Sequence, residues 1–335
     1  MSDSRPLKLL LSDFALHTWG SRIAAADAGL SFVSAEHALA ADGPSEIDIA
    51  FMTREVTGRS SKDNQTPELR GFEAVLRKSP KLRWLQIHPA GAERPIYREL
   101  RDRGVKVTTA SGATAVTVSH SVLGALIAVN RRFPLLADAQ RRHAWEPRLG
   151  ERSPRDLKGQ SAVIVGLGPI GRNIASLLKM LGMSVVGVHR TTEPVAPCEQ
   201  TIAYDQLHTV LPSADWLILC CPASPLTRGI ANAATFAAMP MGSHFINVSR
   251  GEIAVEKDVI EALQSSRLAG AYLDVFEREP LDPASPLWDM PNVLISPHTA
   301  SHSLGQNEAI FDIFLDNLAR FRAGQKLRND VDDLS

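Results

Sequence analysis

One stretch constrains the fold of this chain more than any other, AVIVGLGPIGRNIASLLKMLG at residues 162–182. An apolar run leads into Gly166, Gly168 and Gly171 in a G-x-G-x-x-G pattern. Ile170, Ile174, Leu177, Leu178 and Leu181 then recur at helical spacing, Gly182 closes the segment, and a second apolar run comes after it. Strand, glycine turn and helix in that order aim backbone N–H groups and the positive end of a helix at one point. That is the requirement for holding a pyrophosphate. Gly166, Gly168, Pro169, Ile170 and Gly171 are the candidate phosphate cradle.

The rest of the chain repeats the alternation. Short apolar runs at 8–11, 48–52, 82–87 and 104–109 form a first set of expected strands. Runs at 161–166, 184–188, 215–221, 244–248, 269–275 and 292–296 form a second. Helix-period segments between them predict βαβ units and mostly parallel sheets. SHSVLGALIAVNRR is a predicted helix, and ADAQRRHAWEPRLGERSPRDLKG reads as an extended arm. In NEAIFDIFLDNLARFRAG, Ile310, Phe314, Leu318 and Phe321 share one helical stripe and Gly324 supplies the stop.

With 335 residues, two domains are expected. Lys plus Arg number 36 against 37 Asp plus Glu, which gives no footprint for nucleic acid or an anionic membrane. No apolar run reaches the roughly 20 residues that span a bilayer. MSDSRPLKLLLSDF reads as a first strand rather than a signal peptide, because Asp13 stands where a small-residue cleavage site would be. Three cysteines, two of them adjacent, make no disulfide framework and have no metal-ligand spacing; Cys220 and Cys221 read as packing. The expectation is a soluble cytoplasmic protein without metal.

Which dinucleotide the cradle takes is decided one strand later. GVHRTTEP ends the strand beside the adenosine ribose. An acidic residue there accepts from a 2′-hydroxyl and repels a 2′-phosphate, whereas an arginine does the opposite. His189, Arg190 and Thr191 occupy this place, with Thr192 adding a hydroxyl and Glu193 read as a solvated charge. NADPH is therefore expected over NADH.

Ligands of an open parallel sheet bind outside the carboxyl ends of its strands. FINVSRGE delivers Arg250 there, AYLDVFEREP delivers Asp274 and Glu279, and VLISPHTASH delivers His298. An arginine grips a carboxylate, a histidine exchanges a proton, and a glutamate raises the pKa of that histidine. Those residues resemble the D-isomer-specific 2-hydroxyacid dehydrogenase family, most strongly from 161 to 300. The resemblance implies that Arg250 anchors substrate, that His298 is the acid/base with His302 as its neighbouring rival, and that Glu279 supports it. It implies that Asp274 meets the nicotinamide amide and that Pro222, Thr227 and Val248 border the cofactor. WLQIHPAGAERPIY resembles the loop that receives the substrate carboxylate, giving Ala90, Gly91 and Ala92, with His88 and Pro89 unusual beside it. Ser119 and His120 depart from the Ala-Glu common in the family.

The architecture implied is two doubly wound α/β parallel-sheet domains, a Rossmann-type cofactor domain (111–300) inserted into a flavodoxin-like substrate domain (1–110 plus 301–335). A dimerisation arm at about 131–155, containing Trp145, implies a homodimer. The expected activity is NAD(P)H-dependent reduction of a small 2-keto acid to the D-2-hydroxy acid, glyoxylate and hydroxypyruvate being the guesses by resemblance. Two other classes stay open, a nucleotide-sensing corepressor-like module and a dehydrogenase of another donor such as formate or phosphite.

Overall fold

A computed structural model of the chain describes residues 5–58, 65–92, 94–147 and 153–334. It divides into two units, Met1–Ala113 with Leu304–Ser335, and Thr114–Ser303.

The first unit holds five parallel strands, β1 (Leu7–Leu11), β2 (Leu30–Ser34), β3 (Ile49–Met52), β4 (Trp84–Ile87) and β5 (Lys106–Thr108), in the order β2-β1-β3-β4-β5. This is the flavodoxin-like order. Strands β3 and β4 are buried at every position, as in parallel sheets covered on both faces. One face packs on Leu69, Phe72, Leu76 and Tyr97 from helices 67–77 and 95–102. The other takes the returning C-terminal helix Gln306–Arg322, whose Phe314 stacks on Phe51 with ring centroids 4.4 Å apart while Phe311 stacks on Trp19 at 5.2 Å. Thus the expected apolar stripe on that helix is a docking face. Asn317 adds a buried polar tie, donating to Gln86 Oε1 at 3.1 Å. Gly324, at φ +65°, ends the helix in the left-handed conformation that favours glycine.

The second unit holds seven parallel strands, β6 (Ser161–Val165), β7 (Ser184–His189), β8 (Gln200–Ala203), β9 (Trp216–Leu219), β10 (Ser243–Asn247), β11 (Leu268–Leu273) and β12 (Val293–Ile295). Their order, β12-β11-β10-β9-β6-β7-β8, reverses direction between β6 and β9, so the switch point of a Rossmann-type sheet lies directly beyond β6. Apolar clusters cover both faces, one around Leu217, Phe236 and Phe245, the other around Ile164, Ile174 and Trp216.

Three expectations need correction. Strands β2 and β8 were not anticipated; each lies at a sheet edge. Their sequences, LSFVS and QTIA, are short and mixed, with only Ile202 buried among them. The stretch read as an extended arm begins as helix, Phe133–Arg141, with Pro134 at its start and Arg142 paired to Asp138 at 3.0 Å. Part of the expected dimerisation arm, 148–152, lies outside the described residues.

Candidate active site

Helix Pro169–Met180 begins immediately after Gly168, which caps it with extended backbone. The three glycines have separate physical reasons. Gly166 has φ +105°, and a Cβ there would lie 2.7 Å from the Cys221 backbone. A Cβ on Gly171 would lie 1.9 Å from Gly166 O, so only glycine lets the helix approach the strand this closely. At Gly168 a Cβ would meet nothing within 4 Å. The open space in front of Gly168 and the helix N-terminus fits a pyrophosphate, and Pro169 and Ile170 continue the same first turn.

Strand β7 ends at His189, next to that loop, because Gly166 N–H donates to Val188 O at 2.9 Å. Arg190, Thr191, Thr192 and Glu193 are exposed. The His189 ring is pushed below the ordinary histidine pKa by burial and then by the charges of Arg190 and Arg172. Its Nδ1 is buried without a hydrogen-bond partner among the described residues. A neutral ring with an orphaned nitrogen, beside two guanidinium groups, fits the adenosine end of a phosphorylated dinucleotide better than it fits empty packing.

The loop after β9 contains Pro222 and Thr227. Thr227 is buried, its hydroxyl donating to Pro222 O at 2.7 Å and accepting from Ser224 N–H at 2.9 Å, so the side chain builds the turn. Val248 comes directly after β10, its N–H donating to Leu219 O at 3.1 Å. Both Cys220 and Cys221 thiols are pushed up by burial, which accords with packing.

Arg250, Asp274, Glu279 and His298 lie beyond the ends of β10, β11 and β12 at the carboxyl edge. His298 Nδ1 lies 2.7 Å from Glu279 Oε2. That hydrogen bond is the main cause lifting the His298 pKa above its ordinary value, against burial and the Arg250 charge. Glu279 is lowered on balance: burial raises it, but the bond and charge of His298, with Phe276 N–H and Arg250, outweigh that. Arg250 therefore acts on both partners of the pair. His298 itself has φ +55°, a conformation that costs a non-glycine residue free energy and concentrates at functional sites.

Asp274 explains how that turn is held. It is buried, and its Oδ1 accepts from the N–H groups of Thr299 (2.8 Å) and Ala300 (3.0 Å), while its backbone O accepts from His298 N–H at 2.8 Å. His302 and His120 are exposed, and Ser119 is buried with its hydroxyl donating to Val116 O at 2.8 Å.

In the first unit, Ala90, Gly91 and Ala92 lie in the loop after β4, Pro89 O accepting from Ala110 N–H at 3.1 Å. His88 Nε2 lies 2.7 Å from Thr57 Oγ1.

Comparison with known proteins gives the family. Residues 123–300 match the D-isomer specific 2-hydroxyacid dehydrogenase, NAD binding domain. The chain belongs to the D-isomer specific 2-hydroxyacid dehydrogenase family. Glyoxylate/hydroxypyruvate reductase B of Escherichia fergusonii is 32% identical over 263 residues, 77% of this chain and 81% of that protein. Among solved structures, a family member from Xanthobacter autotrophicus in complex with NADPH and MES is 28% identical, with TM-score 0.77 and 98% of each chain covered. An NADPH-dependent glyoxylate/hydroxypyruvate reductase from Sinorhizobium meliloti, in complex with NADP and sulfate, is 28% identical, with TM-score 0.76 over 98% of this chain and 99% of that one. This 2-hydroxyacid dehydrogenase is accordingly an NAD(P)-dependent oxidoreductase.

Two residues of the dehydrogenase escaped the sequence reading. Arg172 Nε donates to Leu167 O at 2.9 Å, folding a guanidinium back over the phosphate loop. A basic residue directly after the third glycine was the available signal. Gly251 is packed so closely that a Cβ would lie 1.9 Å from both C and O of Phe276. This contact draws the Arg250 segment against the one that carries Glu279.

Proposed function

We propose that this dehydrogenase reduces a small 2-keto acid to the D-2-hydroxy acid with NADPH, with glyoxylate and hydroxypyruvate as first substrates to test. The observation that carries the reading is the Glu279–His298 pair, 2.7 Å apart and under the charge of Arg250.

Bound reduced nicotinamide supplies the hydride. Arg250 grips the substrate carboxylate and polarises the adjacent carbonyl. Amides of Ala90, Gly91 and Ala92 are assigned to the same carboxylate. His298 keeps its Nδ1–H on Glu279, which leaves Nε2 as the atom that passes a proton to the carbonyl oxygen as charge develops there. Without Glu279, burial and Arg250 would both disfavour the protonated ring. The raised pKa extends the protonated form, and hence the reduction, to higher pH. Asp274 holds the turn that presents His298.

For the cofactor, Gly166, Gly168, Pro169, Ile170 and Gly171 are assigned to the pyrophosphate. His189, Arg190 and Thr191 are assigned to the adenosine 2′-phosphate, and Pro222, Thr227, Val248 and Asp274 to the remaining border. Arg190 in place of a carboxylate supports NADPH, as do the NADPH- and NADP-bound relatives. Steady-state reduction of glyoxylate and hydroxypyruvate with NADPH and NADH in parallel tests the reading. A preference for NADPH that collapses in Arg190→Asp is expected. Equal use of both cofactors refutes the cofactor assignment, and no turnover with either refutes the reductase.

A further inference from the structure

Two hydroxyls stand behind the carboxylate that clamps the His298 turn, and the chemistry above uses neither. Strands β11 and β12 pair with Tyr272 beside Leu294 and Leu273 beside Ile295, so one step past the ladder Ser296 comes beside Asp274. Side chains two residues apart on a strand share a face, which puts Tyr272 on the same side as Asp274. The three polar groups form one chain. Ser296 Oγ donates to Asp274 Oδ1 at 2.5 Å. A hydroxyl has one proton to give, so at the 2.7 Å contact between Tyr272 Oη and Ser296 Oγ the tyrosine donates and the serine accepts. Tyr272 is buried, and burial raises its phenol pKa, so it keeps that proton.

The origin of each donor on Asp274 Oδ1 matters. The N–H groups of Thr299 and Ala300 reach it at 2.8 and 3.0 Å, but they belong to the turn itself and move with it. Ser296 and Tyr272 belong to the sheet. Ser296 N–H donates to Leu273 O at 3.0 Å, and Ser296 O accepts from His298 N–H at 3.0 Å. The serine is thus tied to β11, to the carboxylate and to the backbone of His298 at once. A turn with φ +55° at His298 persists only where its surroundings hold it.

We propose that Ser296 and Tyr272 are positioning residues of the reduction, a hydroxyl relay that fixes the Asp274 carboxylate to the sheet and so holds His298 at its angle for proton transfer. The proposal rests on the reductase reading and adds two residues to it. Both act through Asp274, and Tyr272 acts through Ser296.

The test is kcat and KM for glyoxylate with NADPH, and a thermal melt, for wild type, Ser296→Ala, Ser296→Thr, Tyr272→Phe and the Ser296→Ala/Tyr272→Phe double variant. Ser296→Ala should lower kcat about tenfold, the worth of one hydrogen bond to a charged group. KM should stay within about twofold, because Arg250 still anchors the carboxylate. Ser296→Thr keeps the hydroxyl and should restore most of kcat. Tyr272→Phe leaves Ser296 on Asp274 and should lower kcat about two- to threefold. Members of a series are not additive, so the double variant should be no slower than Ser296→Ala alone. Unchanged kcat in Ser296→Ala, a threonine variant as slow as the alanine one, KM rising as kcat falls, or single losses that multiply in the double variant overturns the relay. Wild-type turnover keeps the reductase in each of those cases. Where the melt shows Ser296→Ala unfolded, Tyr272→Phe decides, and a kcat equal to wild type overturns the relay. No wild-type turnover of glyoxylate or hydroxypyruvate overturns both.

Discussion

Gly251→Ala isolates the geometry that brings Arg250 to its place. The added Cβ would lie 1.9 Å from Phe276 C and O and 2.4 Å from Glu277 N, whereas ordinary contact begins at 3.4 Å. The two segments must part by about 1.5 Å, the difference between those distances, and the three nearest atoms all belong to backbone, which cannot swing aside as a side chain could. One segment carries Arg250 and the other Glu279. Overpacking of this kind costs about 1–3 kcal/mol, which lowers Tm by roughly 2–4 °C per kcal/mol for a unit of this size. Misplacement of a reacting group by about 1 Å costs on the order of 10²-fold in rate. A thermal melt with kcat and KM for glyoxylate should therefore show a folded protein, a lower Tm and kcat/KM reduced about 100-fold. Wild-type kcat/KM and Tm in the variant would refute the argument.

Two further perturbations separate the parts of the site. Glu279→Gln removes the main cause that raises His298 and leaves burial and Arg250 to lower it against the smaller opposing charge of Asp274, so the alkaline limb of the reduction profile should move to lower pH; an unmoved limb counts against the pair. In stability, the His298 contribution is fully present below 6.5 and lost as pH rises through its raised native value. That of Glu279 is present above 4.5 and lost as pH falls through its lowered one. The Tm gap between wild type and variant should therefore be widest between pH 4.5 and 6.5 and close on either side. Gly168→Ala meets nothing within 4 Å, so Tm should hold while NADPH binding, measured by fluorescence titration, weakens; unchanged affinity would remove Gly168 from the cradle.

The parts of the site that were legible in the sequence are those with local causes. The glycine loop announces itself because its glycines stand at fixed spacing between an apolar run and a helical stripe. Arg250, Glu279 and His298 were readable as a group because parallel strands bring the loops at their carboxyl ends to one edge. The helix Gln306–Arg322 was readable because Ile310, Phe314 and Leu318 repeat at its period, and all three are buried. Features that escaped depend on distant partners. The closeness of Gly251 is set by Phe276, and the bend of Arg172 by Leu167 O. β2 and β8 are edge strands, each paired on one side, so their residues carry no strong apolar pattern. The use of Asp274 as the clamp of the His298 turn emerges only once Thr299 and Ala300 are folded beside it.

The central claim is that His298 passes the proton in an NADPH-dependent reduction. The most direct measurement is NADPH oxidation on adding glyoxylate, in wild type and His298→Asn side by side, with NADPH affinity measured separately for each. Turnover by the wild type and a kcat lower by about 10²–10⁴-fold in the variant are expected, with NADPH bound equally well by both. A variant that turns over glyoxylate as fast as the wild type would contradict it.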